Sequence, residues 1–447
     1  MDVASFYKPA GMAFCVLVFL VIGASLSHAQ TADDTGSQDA DGDAPLPELR
    51  LPPPITIGDD DVQPPKRKLA AEAVDSYAAP GLRVGAFTLF PELKTSGVVT
   101  SNAQGTAGGT SDTVLEVRPS LRLESDWVRH KFTMSGDATL ERFAKNEDLS
   151  SESGSAAAAL RLDVRRSTYV DLDVKYELQS TGNESSEVPA TAIGKRRDHT
   201  LSGFAALNHD VGGTELRLKL GAERRLYDDV ELSGGASEDN GDREYTAYTV
   251  ALRGALARDA VLTPFVEAAY EPRIHDRKVD RNGIRRDSQG ARFTAGLAVD
   301  DDPIWGGEVG ASLFYRTYKD GSLEDQWVPG LTASLAWQPT DLTRLEFNAG
   351  VSLEETVTTG QSATRRWFAD VEATHALREN LDLKAGSGFT VEDGSGTVLT
   401  TEASLGLDWA VNPYLLLSAA YEASWVDVSS APNYSEHRLI SSVTLRR

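Results

Sequence analysis

The feature that most narrows the folds open to this chain is a two-residue alternation of apolar and charged side chains. It recurs from Leu82 to Arg447 and is clearest in Leu162-Asp-Val164 and, after a short turn, Val170-Asp-Leu172-Asp-Val174-Lys-Tyr176-Glu-Leu178. Successive side chains on a strand point to opposite faces, so such a ribbon offers one face to a nonpolar medium and the other to water. Leu115, Val117, Leu121 and Leu123 alternate in the same way with Glu116, Arg118, Arg122 and Glu124. Leu216, Leu218 and Leu220 alternate with Arg217 and Lys219; Leu345, Phe347, Ala349, Val351 and Leu353 alternate with Arg344, Glu346, Asn348, Ser352 and Glu354. Helical spacing fits none of these segments.

The connections alternate too. Tight turns are expected near Trp127, Thr168, Asp210, Asp259, Asp302, Thr340, Glu379 and Asn412, with longer polar loops between them, such as Thr181–Lys195, Val230–Arg243 and His275–Asp287. Short turns alternating with long loops mark an outer-membrane barrel, with turns in the periplasm and loops outside. Eight turns and nine loops join eighteen strands. The predicted fold is therefore all-β: a transmembrane antiparallel up-and-down β-barrel of about 18 strands (16–18) over residues 82–447. The spacing between turns is too irregular for a propeller or solenoid. The rival is a soluble secreted β-sandwich.

Residues 1–29 read as a secretory signal peptide. Lys8 precedes an apolar run from Met12 to Leu26, and Ser27-His28-Ala29 is a small-x-small cleavage signal. A membrane anchor is the alternative, but the run is short of the about 20 residues a spanning helix needs. Cys15, the only cysteine, lies inside that run, so the mature chain is expected to have no disulfide, thiolate or cysteine-ligated metal. Residues 30–81 carry acidic clusters, including Asp59-Asp60-Asp61, and the proline runs Pro52-Pro53-Pro54 and Pro64-Pro65. Such a segment buries too little apolar area to offset its ordering entropy, and is read as a disordered periplasmic tether or a docking segment for a periplasmic protein or the cell wall. Leu69–Val74 is a candidate for a short helix. A net charge of −23 argues against nucleic acid as a partner.

Two aromatic belts are expected at the strand ends, where rings anchor at the membrane interfaces. Trp127, Tyr169, Trp305, Trp337, Trp409 and Tyr414 fall near the turns; Phe143, Tyr227, Tyr245, Trp327, Trp367 and Trp425 fall near the loops. The chain ends Val443-Thr-Leu445-Arg-Arg447 and lacks the terminal aromatic of many such barrels, although the alternation Leu439, Val443, Leu445 predicts a last strand.

The first strand, Gly81-Leu-Arg-Val-Gly-Ala-Phe-Thr-Leu-Phe-Pro-Glu-Leu leading to Val98-Val-Thr-Ser-Asn102, is similar to the start of the Putative beta-barrel porin 2 family of Gram-negative bacteria. In that family a glycine-rich strand with a Phe-Pro step leads toward a loop containing asparagine. The resemblance covers Gly81 to Arg447. It implies an outer-membrane location and a transport role, members being often encoded near genes for exopolysaccharide export. A barrel of this kind is also expected to contact lipid and lipopolysaccharide and to be delivered by the barrel-assembly machinery, with a periplasmic protein as a further partner for the N-terminal tail. The resemblance supplies no catalytic residue and no cofactor.

No chemical motif stands out. The seven histidines show no ligand spacing, no Gly-x-Ser-x-Gly elbow or phosphate loop occurs, and His375 near Asp370 and Glu372 is a thin case for a triad. No catalytic, cofactor or metal site is expected. The charged face is the better candidate. Arg118, Arg122, Arg161, Arg165, Lys175 and Arg217 are expected to line a pore. So are Lys219, Arg225, Arg253, Arg344, Asp171, Asp173 and Glu346, with Glu116, Glu124, Asp163, Glu177, Glu223, Asp370, Glu372 and Asp408 among the remaining acids. Charges of both signs across a lumen orient polar solutes; the plainer reading is a lumen that only pairs its own charges. The expected function is a porin-like channel for small hydrophilic solutes or exported polysaccharide. The alternative is a structural or interaction barrel whose acidic N-terminal tail docks a periplasmic partner.

Overall fold

The computed structural model describes residues 77–447 apart from 183–187, 190, 257–260, 300–303, 355, 357–360, 395 and 430–431. All of them fall within one compact unit, Gly42–Arg447. The expected signal peptide, the short helix and nearly all of the 30–81 segment lie outside the described residues, as do Asp259 and Asp302.

Eighteen long strands succeed one another. They begin with β1 (Phe87–Thr100), β2 (Asp112–Ser125), β3 (Lys131–Phe143), β4 (Ser151–Arg165), β5 (Thr168–Thr181) and β6 (Arg196–Asp210). Next come β7 (Glu215–Tyr227), β8 (Tyr245–Ala255), β9 (Leu262–His275), β10 (Ser288–Val299), β11 (Trp305–Tyr318) and β12 (Gln326–Thr340). The last six are β13 (Thr343–Glu354), β14 (Thr364–Arg378), β15 (Leu381–Asp393), β16 (Thr397–Asn412), β17 (Leu415–Val428) and β18 (Tyr434–Arg446). Each pairs antiparallel with its neighbours in sequence, and β1 pairs with β18 from Glu92↔Arg446 to Thr100↔Arg438, which closes the ring. Closure leaves no open sheet edge for lipid to meet. A three-residue strand, Leu82–Val84, turns back on β1 (Leu82↔Leu89 to Val84↔Phe87) and covers the stretch that β18 does not reach. The six described turns, near Trp127, Thr168, Asp210, Thr340, Glu379 and Asn412, fall between strands where the turn residues predict them.

Chords across the ring show which face is inside. Arg253 on β8 meets Glu308 on β11, 2.6 Å away, bypassing two strands, and Arg273 on β9 donates to the Leu353 carbonyl on β13 at 3.3 Å. Residues of their parity form the inner face. The opposite parity carries exposed apolar side chains, among them Leu172, Val174, Leu218, Leu220, Phe293 and Leu405. That is the lipid-facing band, and it exists because strands of 11 to 16 residues more than cover the about 9–11 needed to span.

The two-residue turns 166–167, 341–342, 379–380 and 413–414 each come after a register shift, beyond Asp163, Trp337, Ala376 and Ala410. Such a bulge puts two residues opposite one and switches the face taken by the residues beyond it.

One hairpin leaves the wall. The β12–β13 ladder ends at Ala333↔Ala349, while β13 stays paired with β14 up to Glu354↔Thr364. Above that point the described residues of the β13–β14 tip, 350–354 and 361–366, fold inward. The tip's outer-parity residues Val351 and Leu353, with Ala363, pack on the inner side chains Phe314 and Val328.

Candidate functional site

Inner side chains of six strands converge on one cavity of about 60 Å³ at the closing seam, between β15 and β2. Four cations (Lys94, Arg118, Lys384 and Arg438) line it with three carboxylates (Glu116, Asp408 and Glu422). Lys384 Nζ is 2.7 Å from Asp408 Oδ2, Arg438 Nη1 is 3.2 Å from Glu422 Oε2, and Arg118 Nη2 is 3.1 Å from Glu116 Oε1. The groups are brought together because inward residues on neighbouring strands stand side by side, within reach of long side chains.

Toward the loop end, the sector from β6 to β11 is rich in arginine and tyrosine. The Arg196 and Arg243 guanidiniums lie 4.9 and 5.3 Å from the centre of the Tyr227 ring; Arg225 and Arg273 lie 6.0 and 5.4 Å from that of Tyr245. Stacking on an aromatic face holds a guanidinium without consuming its N–H edge. On the other side of the ring, Glu402 sits in the combined field of Glu422, Asp370 and Glu436, offset in part by Arg366.

The residues singled out by alternation take these places. Arg118 and Arg122 alternate with Glu116 and Glu124 on the inner face of β2, and Arg122 pairs with Glu124. Arg161 stacks on Tyr169 at 3.8 Å and meets Asp163 at 3.1 Å. On β5, Asp171 accepts from Asn208 Nδ2 at 2.9 Å, Lys175 lies 3.4 Å from Glu177, and Asp173 stands between them in the inner parity. Arg217 and Arg253 are register partners, Lys219 lies 4.5 Å from the Phe204 ring centre, and Arg225 pairs with Glu223 at 2.7 Å. Arg344 and Glu346 pair at 2.7 Å on β13. Most of these charges therefore meet a partner two residues along the same strand.

Arg165 is the exception. The bulge after Asp163 sets it opposite Thr168, whose hydroxyl hydrogen-bonds with His209 Nδ1 on the outer face, so it leaves the inner series. Four aromatics expected in the belts instead share the inner parity: Tyr169 under Arg161, Tyr227 and Tyr245 under the arginines, and Phe143 facing Val114 with Lys195 above it. Parity, which orders the charges, orders these rings too. On the outside, Trp305 and Trp337 stack at 5.4 Å and Trp327 packs on Tyr315 at 4.1 Å. His375 hydrogen-bonds with Thr343 Oγ1 at 2.9 Å on the outer face, whereas Asp370 and Glu372 belong to the inner parity, so the triad candidate does not assemble. Lys94, Lys384, Arg273 and Arg366 are not among the charges singled out, although Leu381-Asp-Leu383-Lys384 and Leu93-Lys94 carry the same alternation and could have found two of them.

The loops above this wall are held by buried charge. Asp280 and Arg286 form a pair at 2.9 Å with side chains 0% and 2% exposed. Arg281 joins its loop to the preceding one, donating to both Asp242 oxygens and to the Asp239 carbonyl. The Gly241 N–H and the Arg277 guanidinium hold the Asp239 carboxyl below its ordinary range. For Asp242, burial pushes upward, but hydrogen bonds from Arg281 outweigh it and the net shift is downward.

Residues 75–447 match the family described as Putative beta-barrel porin 2. No curated protein matches the chain. Among solved structures it resembles OccK1 (OpdK) of Pseudomonas aeruginosa, at 10% identity and a TM-score of 0.41, covering 80% of this chain and 99% of that one. It also resembles OccK9 (OpdG) of the same organism, at 9% identity and 0.41, covering 81% and 98%. The siderophore receptor PirA of P. aeruginosa gives 10% identity and 0.37, covering 80% of each chain. The closed ladder, and not these likenesses, carries the fold.

Proposed function

Because the chain belongs to the Putative beta-barrel porin 2 family and is an outer-membrane porin-like β-barrel, we propose that it is a channel through which small hydrophilic solutes, or a strand of exported polysaccharide, cross the membrane. The observation that supports this most is the mixed-charge inner wall, with Lys94, Arg118, Lys384 and Arg438 interleaved with Glu116, Asp408 and Glu422 around an open cavity. Such a wall suits an aqueous path, because charge is costly away from water unless every group is paired. Rings of 16–18 strands leave room for such a path. Opposed charge then orients a polar solute as it passes.

Purified protein in planar bilayers should give discrete conductance steps. Lys384→Gln, which removes a cavity cation, should shift the reversal potential in a salt gradient toward cations. A block of the current by an acidic polysaccharide, and not by small sugars, would select the polymer as cargo. Absence of conductance across several preparations would end the channel reading.

A further inference from the structure

We propose that the inward-folded tip of the β13–β14 hairpin is the constriction of the pore, and that Glu354 and Arg366, the charges it presents, govern which solutes pass. This rests on the channel reading above.

The bend is a built feature. Continuing the register of Ala333↔Ala349 upward would set Gly330 opposite Ser352 and Val328 opposite Glu354, completing the wall. The tip forgoes that pairing, and other groups hold it in place. Arg273 Nη2 donates to the Leu353 carbonyl at 3.3 Å, Arg365 Nη2 to Gln326 Oε1 at 2.8 Å, and Arg286 Nη1, from a neighbouring loop, to the Gln361 carbonyl at 2.7 Å. Leu353 and Val328, each 2% exposed, form the apolar contact beneath it.

Two glycines make the overlap possible. A Cβ on Gly330 would run into the Val351 side chain, which lies across the inner face of β12. A Cβ on Gly350, where β13 departs, would stand 2.7 Å from the Phe368 ring.

The outer-parity face of the tip packs on β11 and β12, and Ser352, Glu354 and Arg366 share its opposite, inner-parity face, with Ser352 and Arg366 6% and 8% exposed. Arg366 lies 3.5 Å from Glu354 and 3.7 Å from Glu392. Glu354 also feels Arg225, which stands on β7 across the lumen. The tip thus reaches as far as Arg273 on β9, and its charges stand against an arginine-rich wall, the arrangement in which single charges control selectivity.

The test is single-channel recording on the full-length protein, with boiled and unboiled gel migration to show that each variant has folded. Glu354→Gln should shift the permeability ratio toward anions and Arg366→Gln toward cations, each by about twofold or more. Leu353→Asp and Gly330→Val should raise conductance by loosening the tip. The chain has one native cysteine, Cys15, so engineered pairs are readily assigned. A Val328→Cys/Leu353→Cys bridge should form and leave conductance at the wild-type level. A Gly330→Cys/Ser352→Cys bridge, which forces the tip back into the wall, should raise it. If wild-type channels conduct and the folded variants leave both conductance and selectivity unchanged, the constriction lies elsewhere. If the wild type is silent, the channel reading itself fails, whereas a conducting wild type with unchanged variants overturns the constriction alone.

Discussion

At the residue scale, the side chains most constrained by their surroundings are buried ions. Asp280 accepts from the backbone N–H groups of Asn282 and Ile284, at 2.8 and 2.9 Å, as well as from Arg286. Removing one partner of such a pair leaves a buried charge without compensation, at a cost of about 3–5 kcal/mol. Arg286→Ala should thus open the 276–287 loop to protease within minutes under conditions where the wild type resists, with the barrel itself unaffected. A loop that stays resistant would mean that the ion pair does not hold it. Single charges are legible in the sequence wherever alternation runs unbroken, as at Arg118, Asp173 and Lys219. Arg165 is not, because one extra residue in a bulge reverses a face and leaves no mark in the pattern. Tyr227 is legible in principle: it has the parity of Arg225, which outweighs its nearness to a strand end.

Elements are more legible than residues. Turn chemistry and period-two patterning are local, so the six described turns and the strands between them come from neighbouring residues alone. The bend of the β13–β14 tip does not, since Val351 and Leu353 alternate identically whether their strand pairs with β12 or lies across it. What decides between the two is contact with Phe314 and Val328, distant in sequence. The loop clamp is of the same long-range kind, and it carries a pH dependence. Asp239 and Asp242 have carboxyls held below their ordinary values by Gly241, Arg277 and Arg281. A depressed carboxylate contributes stability that is fully present above the unfolded value, about 3.9, and is lost as pH falls through the folded one. A spin label at Ser233→Cys should therefore keep constant mobility from neutral pH down to about 4 and loosen below it. Loosening that begins near pH 6 would contradict the clamp.

At the scale of the whole molecule, everything depends on closure. Eighteen antiparallel strands joined at β1–β18 leave an apolar band outside and a charged wall inside, and each of these faces requires the other. That much is legible, because two-faced strands with alternating turn and loop lengths fit few other folds. The sector-by-sector distribution of charge is not, since it depends on which strands face each other across the lumen. The most direct test of closure is gel migration of the detergent-extracted outer-membrane fraction with and without boiling. A closed ring stays folded in SDS, so the unboiled band should run apart from the boiled one. A single position in both lanes, with the protein recovered in the soluble periplasm, would mean that the strands form a sandwich and that no lumen exists.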